Sequence, residues 1–426
     1  MEKIIDIKYK KHRLDNGLDI ILQRDNSLPI VTVNLWYHVG SSNEEKGKTG
    51  LAHLFEHMMF QGSKNIPKEM HFKYIQEAGG TLNGSTSFDR TNYYETLPSN
   101  SLELALWLES DRIGFLLETL DEEKLENQRE VVMNERRQRY DNQPYGKAWE
   151  TLFSNLFPEN HPYHWPTIGW MNDIENYTLD DVRNFFKKYY SPDNASIVIA
   201  GDIDYESALD FVKKYFEEIP AFDNREEVII PKNNLSENKL IQYEDNVQLP
   251  RIYLMWKSDK LYGEDDAKLD FLANALSGSK NTRLYKKLIF ENHLALEAYA
   301  FQYSIQKEGV FVISATARPG ISLDKLKEII LSEIEKIINE GITPFELEKS
   351  KNTIISDYIY SLQNISSLAD QLNNYNMTLG EPNSFKYDLN RYNVLNIEDV
   401  KEATEKYLTK PFVELRIVPK NSEIKI

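Results

Sequence analysis

The chain has 426 residues, a formal net charge of −17 and no cysteine. Its length predicts about two to four structural units, and a hydrophobic content of 41% is enough for sizeable cores. The negative charge argues against nucleic acid and anionic membranes as partners. The absence of cysteine excludes disulfides and thiolate metal sites.

Residues 1–6 lack the long apolar core and the small-residue cleavage site of a signal peptide. No run of about 18 apolar residues occurs, so no membrane span is predicted. The sequence therefore predicts a soluble protein that is cytoplasmic by default. It would be periplasmic if the chain were the trimmed mature form of an exported protein.

In chain order, residues 15–17 (Asp-Asn-Gly) predict a turn between two β-rich runs. An alternating strand then ends at Tyr37, and Gly50 precedes a short helix that is apolar almost all round. Residues 81–96 are β-like, and a Glu-rich helix is predicted over residues 121–140. The apolar helix should be buried, and polar residues within it are costly unless they are paired or bound to metal.

The apolar helix carries two histidines and an acid in the H-x-x-E-H order, at His53, Glu56 and His57. Residues four apart share a helix face, so His53 and His57 can point at one ion, with Glu56 over the same surface. The motif predicts a zinc hydrolase in which the histidines are metal ligands and Glu56 is the catalytic base that accepts a proton from metal-bound water. The alternative is two ordinary helical histidines.

A catalytic zinc normally has three protein ligands, and the Glu-rich helix offers several acids. On its helical period, Gln128 and Glu135 lie on the apolar stripe, about 20° apart. Glu126 and Glu130 lie far round the helix and are expected to be solvated. The periodicity therefore predicts Glu135 as the third zinc ligand, and the alternative is a buried carboxylate paired with an arginine.

The chain repeats itself at a spacing of about 220 residues. Asp181 and Asp399 each stand near the start of a helix, and these helices run to Tyr189 and Tyr407. Both pairs are 218 residues apart, and each helix is followed by a turn with a proline and a β-rich run. The agreement of the two spacings indicates two homologous halves.

Three segments follow from this repeat. Residues 1–225 are predicted to form the zinc-binding domain, residues 226–238 a linker, and residues 239–426 a homologous domain without the metal motif. Each half mixes strands and long helices without regular alternation, which predicts the α+β class. Each domain is expected to be an antiparallel-rich mixed sheet with helices packed on one face.

With these motifs the chain resembles the pitrilysin/insulinase family of zinc metallopeptidases, in particular the short branch that includes mitochondrial processing peptidase. The resemblance implies two homologous α+β domains per chain. It also implies a second pair of domains, usually on a partner chain, that closes a chamber over the zinc. It agrees with Glu135 as the third ligand. The matching stretches are residues 16–18, 35–37, 50–58, 83–86, 129–136 and 194–202.

The resemblance further implies that extended peptide binds by edge pairing along the strand with Asn83, Gly84 and Ser85. A turn or bulge at Asn83-Gly84 is the alternative. The family usually has a second glutamate seven residues before the third ligand, and Gln128 stands there in this chain. An amide can hydrogen-bond a ligating group but carries no charge, so the tuning of the zinc could differ.

Complete sites of the family hold the substrate carbonyl with an arginine and a tyrosine, seven residues apart in a second half. Phe290 and Glu297 occupy those places here, and Tyr299 is two residues late. Phenylalanine has no donor and an ionised glutamate only accepts, so neither can replace the pair. The chain is therefore predicted to be the catalytic subunit of a heterodimer whose zinc-less partner carries the Arg/Tyr pair. A homodimer is the alternative.

The predicted activity is zinc-dependent cleavage of short or unfolded peptides. A non-catalytic scaffold is the other functional alternative, because relatives of this fold serve as core subunits of a respiratory complex. The complete zinc motif argues against the scaffold.

Overall fold

The computed structural model describes residues 5–222, 225, 228–231 and 235–420. Residues 226–227 and 232–234 of the predicted linker lie outside the described residues, as do residues 1–4 of the N-terminal stretch.

The chain forms two compact units, each assembled from three segments. In the predicted division the chain crosses from one domain to the other once, at residues 226–238. In the structure it also crosses between the two units near residues 136, 164, 357 and 386. Unit 1 consists of Met1–Arg136, Trp165–Ile229 and Tyr358–Lys386, and unit 2 consists of Arg137–His164, Ile230–Asp357 and Tyr387–Ile426.

The strands are β1 (Tyr9–Arg13), β2 (Asp19–Arg24), β3 (Ile30–Tyr37), β4 (Thr81–Thr86), β5 (Thr91–Pro98), β6 (Ala195–Gly201), β7 (Lys239–Asp245), β8 (Arg251–Ser258), β9 (Ala295–Tyr303), β10 (Gly309–Ala317) and β11 (Val413–Pro419). The helices are α1 (Leu51–Met58), α2 (Met70–Glu77), α3 (Leu102–Phe115), α4 (Glu122–Arg136), α5 (Ala148–Leu156), α6 (Met171–Asn176), α7 (Leu179–Tyr189), α8 (Tyr205–Phe216), α9 (Asp266–Ser277), α10 (Leu323–Glu340), α11 (Pro344–Ser361), α12 (Ile365–Leu379), α13 (Phe385–Asn393) and α14 (Ile397–Leu408). Among the described residues, no helix combines the length and the apolar character needed to cross a bilayer.

The sheet of unit 1 has the strand order β1-β2-β6-β3-β5-β4. Only β2 and β6 are parallel among its described neighbours, and the other pairs are antiparallel. The predicted turn joins β1 to β2, where Gly17 takes a positive φ of 91°. β3 and β6 form the buried centre, whereas β4 lies at the end of the sheet with β5 as its neighbour.

Unit 2 repeats this arrangement with five strands in the order β7-β11-β8-β10-β9. This order corresponds to β2-β6-β3-β5-β4 of unit 1, again with one parallel pair, β7 and β11. The repeated helices α7 and α14 begin with the same capping box, formed by Thr178 with Asp181 and by Asn396 with Asp399. The predicted α+β class with two homologous domains is confirmed.

Helices cover both faces of the unit 1 sheet. α1 and α3 pack on one face, where Tyr93 of β5 donates a hydrogen bond to the Phe55 carbonyl of α1. α12 packs on the opposite face against β3 and β6, where Asn373 donates to the Asn34 carbonyl. The prediction places helices on one face of the sheet. The structure has them on that face and, through α12, on the opposite face as well, and α12 comes from a distant part of the sequence.

Candidate metal centre and active site

The helix α1 is held by its apolar side. Leu51, Ala52, Leu54, Phe55 and Met58 are buried, so the helix packs firmly against the sheet. The two histidines of the motif fall between these residues and turn towards α4. Their side chains keep exposed fractions of 12% for the first and 24% for the second, and the Nε2 atom of each ring faces α4.

The N-terminus of α1 is fixed by a buried carboxylate. Glu44 accepts hydrogen bonds from the backbone N–H groups of Gly50 at 2.7 Å and Ala52 at 2.8 Å. These are donors that the first turn of a helix cannot satisfy internally. Burial raises the pKa of Glu44 well above its usual range, while the two backbone donors favour its charged form. Glu44 therefore sets where α1 begins.

A second anchor holds the residue before the helix. Asp173 accepts from both the backbone N–H and the hydroxyl of Thr49, at 3.1 and 2.7 Å. Tyr177 donates to the Thr49 carbonyl. Gly50 has a φ of 94°, and a Cβ there would lie 2.4 Å from the Ile168 carbonyl oxygen, so the position requires glycine.

Glu135 of α4 reaches the two histidines, as the periodicity predicts. Its Oε2 lies 3.1 Å from Nε2 of His57 and 3.8 Å from Nε2 of His53. One ligand atom from each of the three residues lies within 4.8 Å of the others. Glu126 and Glu130 of the same helix are exposed, which agrees with the solvated positions predicted for them.

The three residues fit a zinc ion. Zinc takes imidazole nitrogen and carboxylate oxygen at about 2.0–2.2 Å, so tetrahedral donors stand about 3.3–3.5 Å apart. The separations of 3.1 and 3.8 Å from the Glu135 oxygen bracket this value. Two imidazoles and one carboxylate are also a known catalytic zinc set that leaves one position open.

Glu56 lies beside the cluster and against the end strand of the sheet. Thr86 of β4 donates a hydrogen bond to its Oε2 at 2.7 Å. A Cβ on Gly84 would lie 3.2 Å from the Glu56 Cγ and from the Tyr93 ring, so the glycine leaves room for the carboxylate. Burial raises the pKa of Glu56, and the Thr86 hydrogen bond and nearby His57 act in the opposite direction.

The three residues predicted to bind substrate all lie in β4, which is a regular strand, so the turn or bulge alternative is not needed. Gly84 faces Glu56, whereas Ser85 faces the other side of the sheet and donates to Asn92 at 2.7 Å. Asn83 is exposed, and its Oδ1 accepts from the backbone N–H of Gly84 at 2.9 Å.

Gln128 lies on the buried side of α4, with 4% of its surface exposed. Its side-chain amide donates to Oδ1 of Asn127 at 3.4 Å, so the hydrogen bond that the structure describes goes to a neighbour on the helix. The expected hydrogen bond to a ligating group stays a prediction.

The positions predicted to lack an Arg/Tyr pair lie in unit 2. Phe290 is 69% exposed, in the short π-helix Tyr285–Glu291. Glu297 of β9 accepts from Arg251, and the hydroxyl of Tyr299 donates to its other oxygen at 3.3 Å. The carboxylate of Glu297 is thus already engaged by groups of its own unit.

Sequence reasoning missed Glu44, Asp173 and Thr86, which position the motif. Thr86 had a usable signal, because residues 84 and 86 of a strand face the same side and Gly84 was already a candidate. Glu44 and Asp173 had none, since Glu44 lies in the loop six residues before Gly50, where no period applies, and Asp173 comes from a segment more than a hundred residues away.

Comparison with known proteins agrees with this geometry. Residues 19–164 match the family model described as insulinase (peptidase family M16), and residues 176–354 match the one described as the peptidase M16 inactive domain. The zinc protease PqqE of Helicobacter pylori is 33% identical over 375 residues, which cover 86% of this chain and 83% of that protein. The uncharacterized zinc protease YmxG of Bacillus subtilis is 26% identical over 410 residues, 96% of this chain and 98% of that one.

A crystal structure of a protease from Helicobacter pylori has the same fold, with a TM-score of 0.91 and 29% identity over 97% of this chain and 100% of that one. The resemblance to the pitrilysin/insulinase family is therefore confirmed by sequence and by structure. Two family models in succession and a relative above 30% identity lead to one conclusion: the chain belongs to peptidase family M16.

Proposed function

We propose that the chain is a zinc-dependent endopeptidase and the zinc-bearing, catalytic subunit of a heterodimer. The observation that carries the proposal is the approach of the His53 and His57 imidazoles to the Glu135 carboxylate, with Glu56 alongside. The names of relatives from two organisms, both zinc proteases, support the chemistry.

A bound zinc ion would supply an acidified water molecule and polarise the carbonyl of the scissile bond. Glu56 accepts the proton of the attacking water and later passes it to the leaving amine. Thr86 holds Oε2 of Glu56, which leaves Oε1 to face the water. Because burial raises the pKa of Glu56, the carboxyl group can hold that proton between the two transfers.

The substrate would be an extended peptide segment added to the edge of β4. Main-chain hydrogen bonds along Asn83, Gly84 and Ser85 would hold it, with the peptide displacing Oδ1 of Asn83 from the Gly84 N–H. This mode selects unfolded or short chains over folded ones. Gly84 faces Glu56, so a peptide paired there would pass next to the proposed base.

The partner subunit would supply the arginine and the tyrosine that hold the substrate carbonyl. Phe290 offers no donor, and Glu297 is bound by Arg251 within unit 2. Co-purification from the native host, followed by mass spectrometry, tests this arrangement. A zinc-less homologue with an Arg/Tyr pair is expected, and a fully active dimer of this chain alone would contradict it.

The decisive variant is Glu56→Gln in the assembled enzyme. It keeps the shape of the side chain but cannot accept the proton, so peptide cleavage should fall about 10²- to 10⁴-fold while the zinc content stays unchanged. Glu77→Gln, at an exposed position of α2, is the matched control and should retain full activity. Cleavage that is unaffected by Glu56→Gln would rule out Glu56 as the base, whereas a chain that binds no zinc and cleaves no peptide would be a non-catalytic scaffold.

A further inference from the structure

A cavity of about 330 Å³ lies on the face of the unit 1 sheet that α12 covers. Every described residue that lines it has a polar side chain, whereas ligand pockets are usually lined mainly by apolar groups. Its wall contains one basic residue, Arg90, and one acidic residue, Asp370, so its formal charge is zero. Such a cavity favours a polar ligand without net charge.

Arg90 and Asp370 stand at the two ends of a hydrogen-bond chain that passes through Asn92. Nη1 of Arg90 donates to Oδ1 of Asn92 at 2.9 Å and to the Ser85 carbonyl at 3.0 Å. Nδ2 of Asn92 donates to Oδ1 of Asp370 at 3.3 Å, and the same oxygen accepts from Asn34 at 3.2 Å. One amide group therefore separates the cation from the anion.

Each of the two charged groups has an unused side. Within the part of the chain that the structure describes, Nε and Nη2 of Arg90 donate to no residue. Oδ2 of Asp370 likewise accepts from no described residue, because its three bonds all end on Oδ1. Nε and Nη2 form one edge of the guanidinium, which matches the two oxygens of a carboxylate. The free oxygen of Asp370 is an acceptor for an ammonium group.

We propose that this cavity binds a free α-amino acid with a small polar side chain, in its zwitterionic form. The carboxylate would accept two hydrogen bonds from Arg90, and the ammonium group would donate to Asp370. The amide of Asn92 spans the same gap with its oxygen towards Arg90 and its nitrogen towards Asp370. In an α-amino acid the carboxylate oxygens and the ammonium nitrogen have a similar arrangement. In an extended dipeptide the two charged groups lie about 3.5 Å further apart.

Other charged ligands fit less well. A simple anion bound at Arg90 would face the Asp370 carboxylate, which has the same sign of charge. A simple cation bound at Asp370 would likewise face the Arg90 guanidinium. A zwitterion satisfies both groups at once. The serine hydroxyls of the α12 side, Ser366 and Ser367, offer hydrogen bonds to a polar side chain of the ligand.

The cavity is separate from the zinc cluster, because neighbouring residues of a strand face opposite sides of the sheet. Ser85 faces the cavity, whereas Gly84 and Thr86 face Glu56. Binding of an amino acid can therefore be measured without peptide hydrolysis. The proposal does not rest on the proposed peptidase function, and either can fail without the other.

Isothermal titration of the full chain with three ligands tests the proposal. L-Serine carries both charges, N-acetyl-L-serine lacks the ammonium group, and L-serinamide lacks the carboxylate. L-Serine should bind, and each derivative should bind at least about tenfold more weakly, since each loses one charge-assisted contact. No binding of L-serine at millimolar concentration, or equal binding of all three ligands, would overturn the proposal.

Three variants assign the contacts. Asp370→Asn should weaken L-serine at least about tenfold and abolish its advantage over N-acetyl-L-serine, and Arg90→Gln should abolish its advantage over L-serinamide. Asp210→Asn removes the same charge at an exposed position of α8 and should leave the affinity unchanged. An equal loss in Asp370→Asn and Asp210→Asn would contradict the site. If a variant fails to fold, as judged by thermal unfolding, the three ligands on the unchanged chain decide.

Discussion

The two units share a strand order but differ in how they treat the polar groups of one helix. α1 follows β3 in unit 1 as α9 follows β8 in unit 2. In α9, Asp266 forms an ion pair with Arg391 at 3.0 Å, and Asp270 accepts from Tyr392 at 2.7 Å. In α1, two histidines meet a carboxylate from α4 within 4.8 Å.

The difference is between a polar cluster whose charged groups pair with one another and a cluster that has the donor atoms of a metal site. In unit 2 the chain supplies its own cation, Arg391, which pairs with Asp266 and Asp388 without a ligand. In unit 1 the converging groups are two imidazole nitrogens and a carboxylate oxygen, which are the donors that zinc selects. The same topology thus supports either outcome, and the residues on the neighbouring helix decide which one occurs.

The largest expected effect tests the ligand set directly. Glu135→Gln replaces a charged oxygen donor with a neutral amide, so zinc affinity and peptide cleavage should each fall at least about 100-fold. Zinc content after dialysis against a chelator, measured by mass spectrometry, checks the loss of affinity. Glu130→Gln, on the exposed side of α4, is the matched control. Equal zinc retention by both variants would show that Glu135 is not a zinc ligand.

A smaller effect is expected from the residue that positions α1. Glu44→Ala leaves the backbone N–H groups of Gly50 and Ala52 without their acceptor, which should lower the free energy of unfolding by about 1–3 kcal/mol. The displaced helix should also bind zinc more weakly. Thermal unfolding with and without zinc measures both quantities, with exposed Glu45→Ala as the control. If the two variants unfold alike, the carboxylate is not what holds the helix.

The smallest effect is a difference in pH response, and it has opposite signs at two buried groups, one in each unit. In unit 1, burial lowers the pKa of His71 from 6.5 to about 3, with the charge of Arg112 as a further cause. The unfolded state then binds the proton more tightly, so stability is complete above about pH 6.5 and is lost as the pH falls towards 3.

In unit 2, burial raises the pKa of Asp270 from 3.8 to about 7, and the neighbouring Asp266 adds to the shift. Here the folded state binds the proton more tightly, so stability is complete below about pH 3.8 and is lost as the pH rises through 7. Each group contributes a slope of at most about 1.4 kcal/mol per pH unit.

Hydrogen exchange of α2 and α9 between pH 5 and 7, corrected for intrinsic rates, measures the two slopes separately. His71→Gln should reduce the slope measured at α2 alone, and Asp270→Asn the slope measured at α9 alone. Parallel responses in both units would refute the assignment.

Much of the candidate centre could be read from local periodicity. The spacing of His53, Glu56 and His57 places them on one helix surface, and the apolar stripe of α4 selects Glu135 over its acidic neighbours. The 218-residue repeat gives two homologous halves, and the strand orders confirm them. These features depend on residues within a few turns of one another or on self-similarity, and both are written in the linear sequence.

Only the tertiary structure decided which distant segments meet. The sequence contains no signal that residues 137–164 join unit 2, or that α12 returns to cover the sheet of unit 1. The support of α1 by Asp173, and the gap between Arg90 and Asp370, depend on the same long-range contacts. A helical or strand period fixes which side of an element a residue occupies. What lies opposite that side is set by packing of the whole unit, because contacts between distant segments leave no period in the chain.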